Sequence, residues 1–340
     1  MKRVVVLAAA VAFAWQSQAQ IAKTDDVKKS MQHDAKDTVA WLHSGLLNVG
    51  LNQGFLHNWA AGGEVGSLTV SGLFNGSLTR LYHRQVWTNN LDMTYSLFYA
   101  YSNNFKPRKV DDRIDFTSKY GVRINPKKDF FAAALFNFKS QFSKGYDYKA
   151  ANWDTFSVSN FLSPAYLTLA LGAEYRKNAN LSLFFSPLAA RMTFVDLYYT
   201  NRSPEGAFGV EKGKTSRFEL GAYFSARYNT DLSKTLSYKT RVDLYSNYLA
   251  KNIYDATGKL VKKDNPGNID WLWDNLLMYK ASKYISLSMG LTVMYDNDIP
   301  YSNTYVDKTT GATMNKDEPG EYLGWFQLKQ IFTLGFVYKF

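Results

Sequence analysis

Four histidines are the first residues to weigh for chemistry: His33, His43, His57 and His83. A histidine beside a serine or an acid can serve as a general base in hydrolysis. His57 is the best placed, in a segment with Trp59 and Glu64, but no serine–histidine–acid motif surrounds it. Packing or hydrogen bonding within its loop is the favoured role, and no catalytic residue is assigned. Asp296-Asn297-Asp298 and Asp317-Glu318 offer oxygen ligands of the kind calcium takes, without the spacing of a calcium loop. They read as solvated charge. Gly62-Gly63 lies between strands rather than ahead of a helix, so it is no phosphate cradle. The chain has no cysteine, which removes disulfides, thiolate metal centres and a lipid-bearing cysteine together. No metal and no cofactor are expected.

The larger reservoir of chemistry is a set of charges recurring at every second position. Arg113, Asp115, Lys119, Arg123, Lys139, Glu174, Arg217, Glu219, Arg227, Lys239, Arg241 and Asp243 belong to it, with Asp92, Arg176, Asp270, Asp274 and Lys329. Each falls on the polar face of an alternating stretch. On strands closed into a barrel, that face lines the lumen. Ten of the seventeen are basic and seven acidic, so an open lumen would favour anions weakly. Mixed signs favour a network of ion pairs in the inner wall instead, because buried charges must pair or stay hydrated.

The elements that must position these charges are strands. Residues 323–340, LGWFQLKQIFTLGFVYKF, place Phe326, Leu328, Phe332, Leu334, Phe336, Tyr338 and Phe340 in one register and mostly polar or small residues in the other. A period of two is a strand, and this one is long enough to cross a bilayer at a tilt. From Trp41 onward the chain repeats this unit. The expected strands are 42–53, 67–81, 86–101, 113–124, 130–142, 166–176, 181–194, 217–228, 236–248, 269–279, 284–295 and the closing one, with a bulge at Pro187 and Ala189-Ala190. The fold class is therefore all-β: a single antiparallel transmembrane barrel of about twelve strands. Short periplasmic turns alternate with long extracellular loops. Aromatics make up 16% of residues, and Tyr99, Tyr101, Trp271, Trp273, Tyr279, Tyr295 and Tyr338 cluster at strand ends as interfacial girdles. A soluble sandwich or lipocalin-like barrel would need neither the girdles nor the strand length.

Three segments follow: residues 1–19 as a secretory signal, 20–40 as a periplasmic leader, and 41–340 as the barrel. The signal has Lys2 and Arg3 ahead of an apolar run and Ser17-Gln18-Ala19 as the cleavage site. The net charge of +11 becomes +9 without Lys2 and Arg3 (38 basic against 29 acidic). These charges are scattered rather than gathered into a stripe, which argues against nucleic acid.

The segments NWAAGGE (58–64), DRIDFTSKYG (112–121), SPAYL (163–167), AFGVE (207–211), SRFELGAY (216–223) and DLYSNYL (243–249) resemble a family of Bacteroidota outer-membrane proteins known as domain of unknown function 3078. The resemblance extends over most of the mature chain and implies a barrel in a Gram-negative outer membrane, with no stated activity. Termination on Phe340, after Gly335, Phe336 and Tyr338, resembles the C-terminal assembly signal of outer-membrane barrels, so the assembly machinery is an expected partner during insertion. His57, Trp59, Tyr146, Tyr148 and Trp153 form a candidate contact surface on the long loops, suited to other outer-membrane proteins. The expected function is a non-enzymatic structural or interaction component of the outer membrane. A narrow, weakly anion-selective pore or small-solute transporter is the alternative, and a hydrolase at the barrel rim comes third.

Overall fold

The structure is a computed structural model. It describes residues 40–57, 64–125, 129–148, 153–177, 180–202, 206–254, 258, 260–262, 264–296, 304–306, 313–315 and 327–339. Twelve strands form the barrel: β1 Ala40–Phe55, β2 Gly66–Tyr82, β3 Gln85–Ala100, β4 Arg108–Arg123, β5 Phe130–Ser140, β6 Ala165–Tyr175, β7 Leu181–Phe194, β8 Ser216–Asp231, β9 Leu236–Asn247, β10 Ile269–Lys280, β11 Ile285–Tyr295 and β12 Gln327–Lys339. Each pairs antiparallel with its neighbours in sequence, and β12 returns to β1, which closes the ring. Among the described residues no helix is long and apolar enough to cross a membrane; strands do the crossing. The proposed signal and leader, residues 1–19 and most of 20–40, lie outside the described residues, as do Trp325, Phe326 and Phe340.

The connections alternate in size as the sequence predicts. Residues 83–84, 124–129, 176–180, 232–235 and 281–284 join strands at one end. The loops 56–65, 101–107, 141–164, 195–215, 248–268 and 296–326 emerge at the other, and three of them carry short hairpins of their own. The tightest turn pairs Tyr82 with Gln85 and holds His83 at φ 50°, so this histidine is a turn residue.

The outward register is apolar and bare. Leu171 is 61% exposed, and Leu169, Phe185, Leu188, Phe218, Phe332, Leu334 and Phe336 are likewise exposed, an arrangement that water would penalise and hydrocarbon accepts. Trp87 and Trp273 stand on the same face and donate their indole N–H to Ser118 and Thr240 of neighbouring strands. Such side chains, apolar in body with a polar handle, suit the interfacial zone.

One irregularity redirects a whole strand. At Pro187 the β7 register shifts against both neighbours, between Leu171 and Ala173 of β6 and between Gly221 and Tyr223 of β8. Proline has no N–H to give a ladder, and a bulge is where a strand tolerates it. Ser186 serves the bulge: its hydroxyl lies 2.8 Å from the carbonyl oxygens of Leu171 and Leu188, and it accepts from the Leu188 N–H. Gly172 faces this bulged stretch because nothing larger fits, an added Cβ lying 2.0 Å from the Phe185 oxygen; Gly221 is closed in from its other side, where a Cβ would lie 1.9 Å from the Ser246 oxygen of β9.

Candidate functional site

The lumen is where the charges converge. Odd positions of β4, β5, β8 and β9 and even positions of β6 and β10 point inward, which places all twelve sequence-derived lumen charges inside the barrel. They do not merely line the wall. Arg113 on β4 donates to Asp274 on β10 at 2.8 Å, and these two strands are diametrically opposite in a ring of twelve. Asp274 is steadied from its own side by the Thr292 hydroxyl, 2.6 Å away.

A second strut runs beside the first. Arg241 on β9 donates to Asp115 on β4 at 2.8 Å, and Asp115 accepts from the Asn137 amide at 2.6 Å. Asp243 lies 2.5 Å from Arg241 Nη2, and accepts from Ser225 at 2.8 Å and Lys139 at 3.5 Å. The Arg241–Asp243 contact is an ion pair. Arg227 reaches across to the Thr117 hydroxyl at 3.1 Å. Lys329 on β12 spans to Asp111 at 2.7 Å, and Lys239 on β9 to the Asn75 amide oxygen at 2.7 Å, while Asn75 in turn bonds Asp92.

Two smaller clusters flank these struts. Toward the short turns, Glu174 collects Lys119 at 2.5 Å, Arg176 at 2.9 Å and Ser182 at 2.6 Å. Arg123 packs its guanidinium over Phe131 near the same end, 5.2 Å from the ring centre. Toward the long loops, Glu219 accepts two bonds from Arg191, at 2.7 and 2.9 Å, and one from Asn247, with Arg217 3.3 Å away. Arg191 also bonds Asp270 at 2.8 Å and lies over the Tyr245 ring at 4.1 Å.

Arg191 and Asp111 are two inward charges that sequence reasoning missed. Counting by twos up β7 from Phe185 places Arg191 on the lipid face. The bulge at Pro187 reverses the parity, so the buried positions change from Phe184 and Ser186 to Ala189 and Thr193, and Arg191 turns inward with the latter. On β4 Asp111 shares the odd, inward register of Arg113 and Asp115; it was missed because the strand was expected to begin at residue 113, whereas β4 starts at Arg108.

Charge does not make up the whole inner wall. Ala133, Leu135, Ala170, Phe184, Ala189, Tyr223 and Tyr245 form an apolar cluster inside the barrel between the ion-paired groups. The signal for it lies in residues 130–136, FFAAALF, which are apolar on both faces. Beside this cluster the lumen holds a cavity of about 530 Å³, lined by serine, threonine and asparagine of β1, β2, β3, β11 and β12 and by charged residues of β4, β8, β9 and β10. It runs from His43, Asn180 and Asp231 at the short-turn end up to the level of Asp111, Arg113, Asp274 and Lys329. The struts are its roof.

The loop candidates divide. Tyr146, Tyr148 and Trp153 pack against one another tilted or edge-on, with ring centres 5.0 to 6.3 Å apart, and Arg108 lies over Trp153 at 5.6 Å. The Tyr148 hydroxyl accepts from the Lys109 backbone N–H at 2.7 Å, and burial pushes its pKa up. These rings are spent largely on holding their own loop. Trp59 lies outside the described residues; His57 is exposed. Glu64, the acid nearest it in sequence, instead binds the Ser102 hydroxyl at 2.6 Å and the Ser102 backbone N–H at 2.9 Å, and these bonds hold its carboxyl below the usual range. Among the described residues no group of three metal-ligating side chains is assembled; Asn297, Asp298, Asp317 and Glu318 lie outside them. At the closing strand, Phe336 stacks on Tyr284 at 5.5 Å, and both Phe336 and Tyr338 face outward.

A family model described as "Protein of unknown function (DUF3078)" matches residues 51–146. That stretch runs from the end of β1 to the loop after β5 and includes all of β4. No curated protein matches the chain. Among solved structures it is similar to the translocator domain of autotransporter NalP from Neisseria meningitidis, at 8% identity over 94% of this chain and 95% of that one, with a TM-score of 0.35. It is also similar to the COG4313 outer membrane channel from Pseudomonas putida F1, at 8% identity over 91% and 98%, with a TM-score of 0.34. At such scores neither likeness carries an argument about what this barrel does.

Proposed function

We propose that this chain is an integral outer-membrane barrel of a Gram-negative envelope, non-enzymatic, acting as a structural and interaction component rather than as a general pore. The observation that supports the reading most is the contact of Arg113 with Asp274 between opposite walls, reinforced by Arg241 with Asp115. Charges held in this way brace the barrel from within and stand where a solute would have to pass. The bilayer covers its apolar belt, the assembly machinery meets its closing strand during insertion, and the long loops are the surface offered to other outer-membrane proteins. It needs no cofactor.

A second reading has one specific observation in its favour. The polar cavity of about 530 Å³ reaches the short-turn end, as half of a narrow, weakly anion-selective pore would. Single-channel recording of the purified protein in planar bilayers separates the two. The braced barrel shows no steady conductance, and the double change Arg113→Ala/Asp274→Ala opens one. Steady channels in the unmodified protein, with an anion preference that Arg→Glu changes weaken, overturn the proposal in favour of the pore.

A further inference from the structure

The ladder that closes the barrel stops part-way. β1 and β12 pair from Leu46↔Lys339 to Gly50↔Gly335 and, among the described residues, no further. On its other side β1 pairs along its whole length, from Ala40↔Leu81 to Phe55↔Gly66, and β12 pairs with β11 from Phe336 back to Gln327. Toward the long loops, residues 51–55 and 327–334 therefore turn backbone edges toward each other without a ladder. Leu51 is 62% exposed and Phe55 71%. The point where the ladder stops is sterically tight. An added Cβ at Gly335 would lie 2.5 Å from both Asn48 Oδ1 and the Val49 oxygen, and one at Gly50 would meet Thr333.

The outward positions of this gap, Leu51, Phe55, Leu328, Phe332 and Leu334 with Gln53 and Gln330 among them, are mostly apolar and exposed, so the gap lies at the depth of the lipid-facing belt. Bare backbone persists at that depth only against protein or beside a water-filled cavity. Such a cavity lies directly behind: the inward side chains of the unzipped stretch, Lys329, Ile331 and Thr333, line the polar lumen. An occupant of the gap meets hydrocarbon on one side and hydroxyls, amides and charges on the other. That describes an amphiphile. The same cavity holds two cations whose hydrogen-bond partners are neutral: Lys239 on the Asn75 amide oxygen and Arg227 on the Thr117 hydroxyl. Asn75 stands opposite Leu46 in the β1–β2 ladder, at the zipped part of the seam below the gap.

We propose that the upper β1–β12 seam is a lateral window occupied by a glycerophospholipid. Its phosphate points into the cavity toward Lys239 and Arg227, and its acyl chains pass between the two strands into the bilayer. The proposal rests on the braced lumen described above, since struts across the lumen hinder passage along its axis and leave the seam as the cavity's lateral route to the membrane. Conductance tests the roof and lipid retention tests the window, so either can fail alone.

The chain has no cysteine, so a pair introduced as Leu51→Cys/Leu334→Cys would form the one disulfide available, across the gap. The protein is placed in phosphatidylcholine nanodiscs doped with a phosphatidylethanolamine carrying a photoreactive acyl chain, and native mass spectrometry counts the lipids retained in detergent. In the wild type, labelling is expected to concentrate on residues 51–55 and 327–334. Oxidising the cysteine pair lowers that label and the retained phospholipid at least tenfold, and reduction restores both. Lys239→Gln weakens retention of phospholipid severalfold while leaving diacylglycerol, which lacks the phosphate, unchanged. Gln53→Cys/Phe332→Cys serves if the first pair fails to fold, with a heat-dependent gel shift as the fold control. Should neither pair oxidise, labelling of the wild type decides by itself. Label spread evenly around the barrel, retention unaffected by the closed disulfide, or a strand of a second protein cross-linked into the seam each overturn the proposal.

Discussion

At the scale of single residues, the lumen sets partnered charges against packing. Asp115 is 1% exposed and Arg241 9%, so neither is free to recover hydration when its partner is lost. Removing one member of such a pair costs about 3–5 kcal/mol, whereas replacing both by apolar groups can be neutral. Arg241→Ala is therefore expected to lower barrel stability by about that amount, and Arg241→Met/Asp115→Leu by clearly less. Urea unfolding followed by tryptophan fluorescence measures both, and equal losses would contradict the pairing. Arg191 makes a sharper case, since it holds Glu219 and Asp270 at once. Arg191→Leu should destabilise the barrel by about 3–5 kcal/mol, although position 191 counts as lipid-facing in a regular strand. A neutral result would place Arg191 outside the barrel wall and sink the parity change argued from the bulge.

At the scale of elements, β7 shows how one proline sets the facing of a strand. The buried Ser186 hydroxyl sits against two carbonyl oxygens and the Leu188 N–H, so Ser186→Ala leaves polar backbone unserved and should cost about 1–3 kcal/mol, read from the shift of the unfolding midpoint. The loops supply a pH test. Glu64 ties the loop 56–65 to Ser102 in the loop 101–107, and its carboxyl is held below the ordinary value by the Ser102 hydroxyl and backbone N–H. A group whose pKa is depressed on folding stabilises in its charged form. The tie is complete above the ordinary glutamate range and is lost as pH falls through the lowered value. Limited proteolysis of residues 101–107 at acid pH, with a protease active there, should quicken as the pH is lowered. Glu64→Gln should show the fast rate at every pH; a pH-independent wild-type rate would count against the tie.

At the scale of the whole molecule, a closed ring of strands and a bare apolar belt predict a barrel that resists detergent until heated. Unboiled protein is expected to run anomalously on a gel and to shift on boiling, with a strand-rich circular dichroism spectrum. A helical spectrum or recovery in the soluble fraction would contradict the fold. The belt, the strand count and the alternation of turn and loop were legible in the sequence, because a side-chain period of two is a local property and each turn is written in its own residues.

Which charges meet across the lumen was not legible. Arg113 and Asp274 are 161 positions apart in sequence and become partners only when a ring of twelve puts β4 and β10 face to face. The sequence alone determined that this chain makes a barrel with charges inside, since inward and outward follow from counting by twos. Only the tertiary structure decided that the charges form struts, that Arg191 joins them and that the seam stays half zipped. Those outcomes depend on the register between strands, on bulges that reverse parity and on the closure of the ring, and these are non-local.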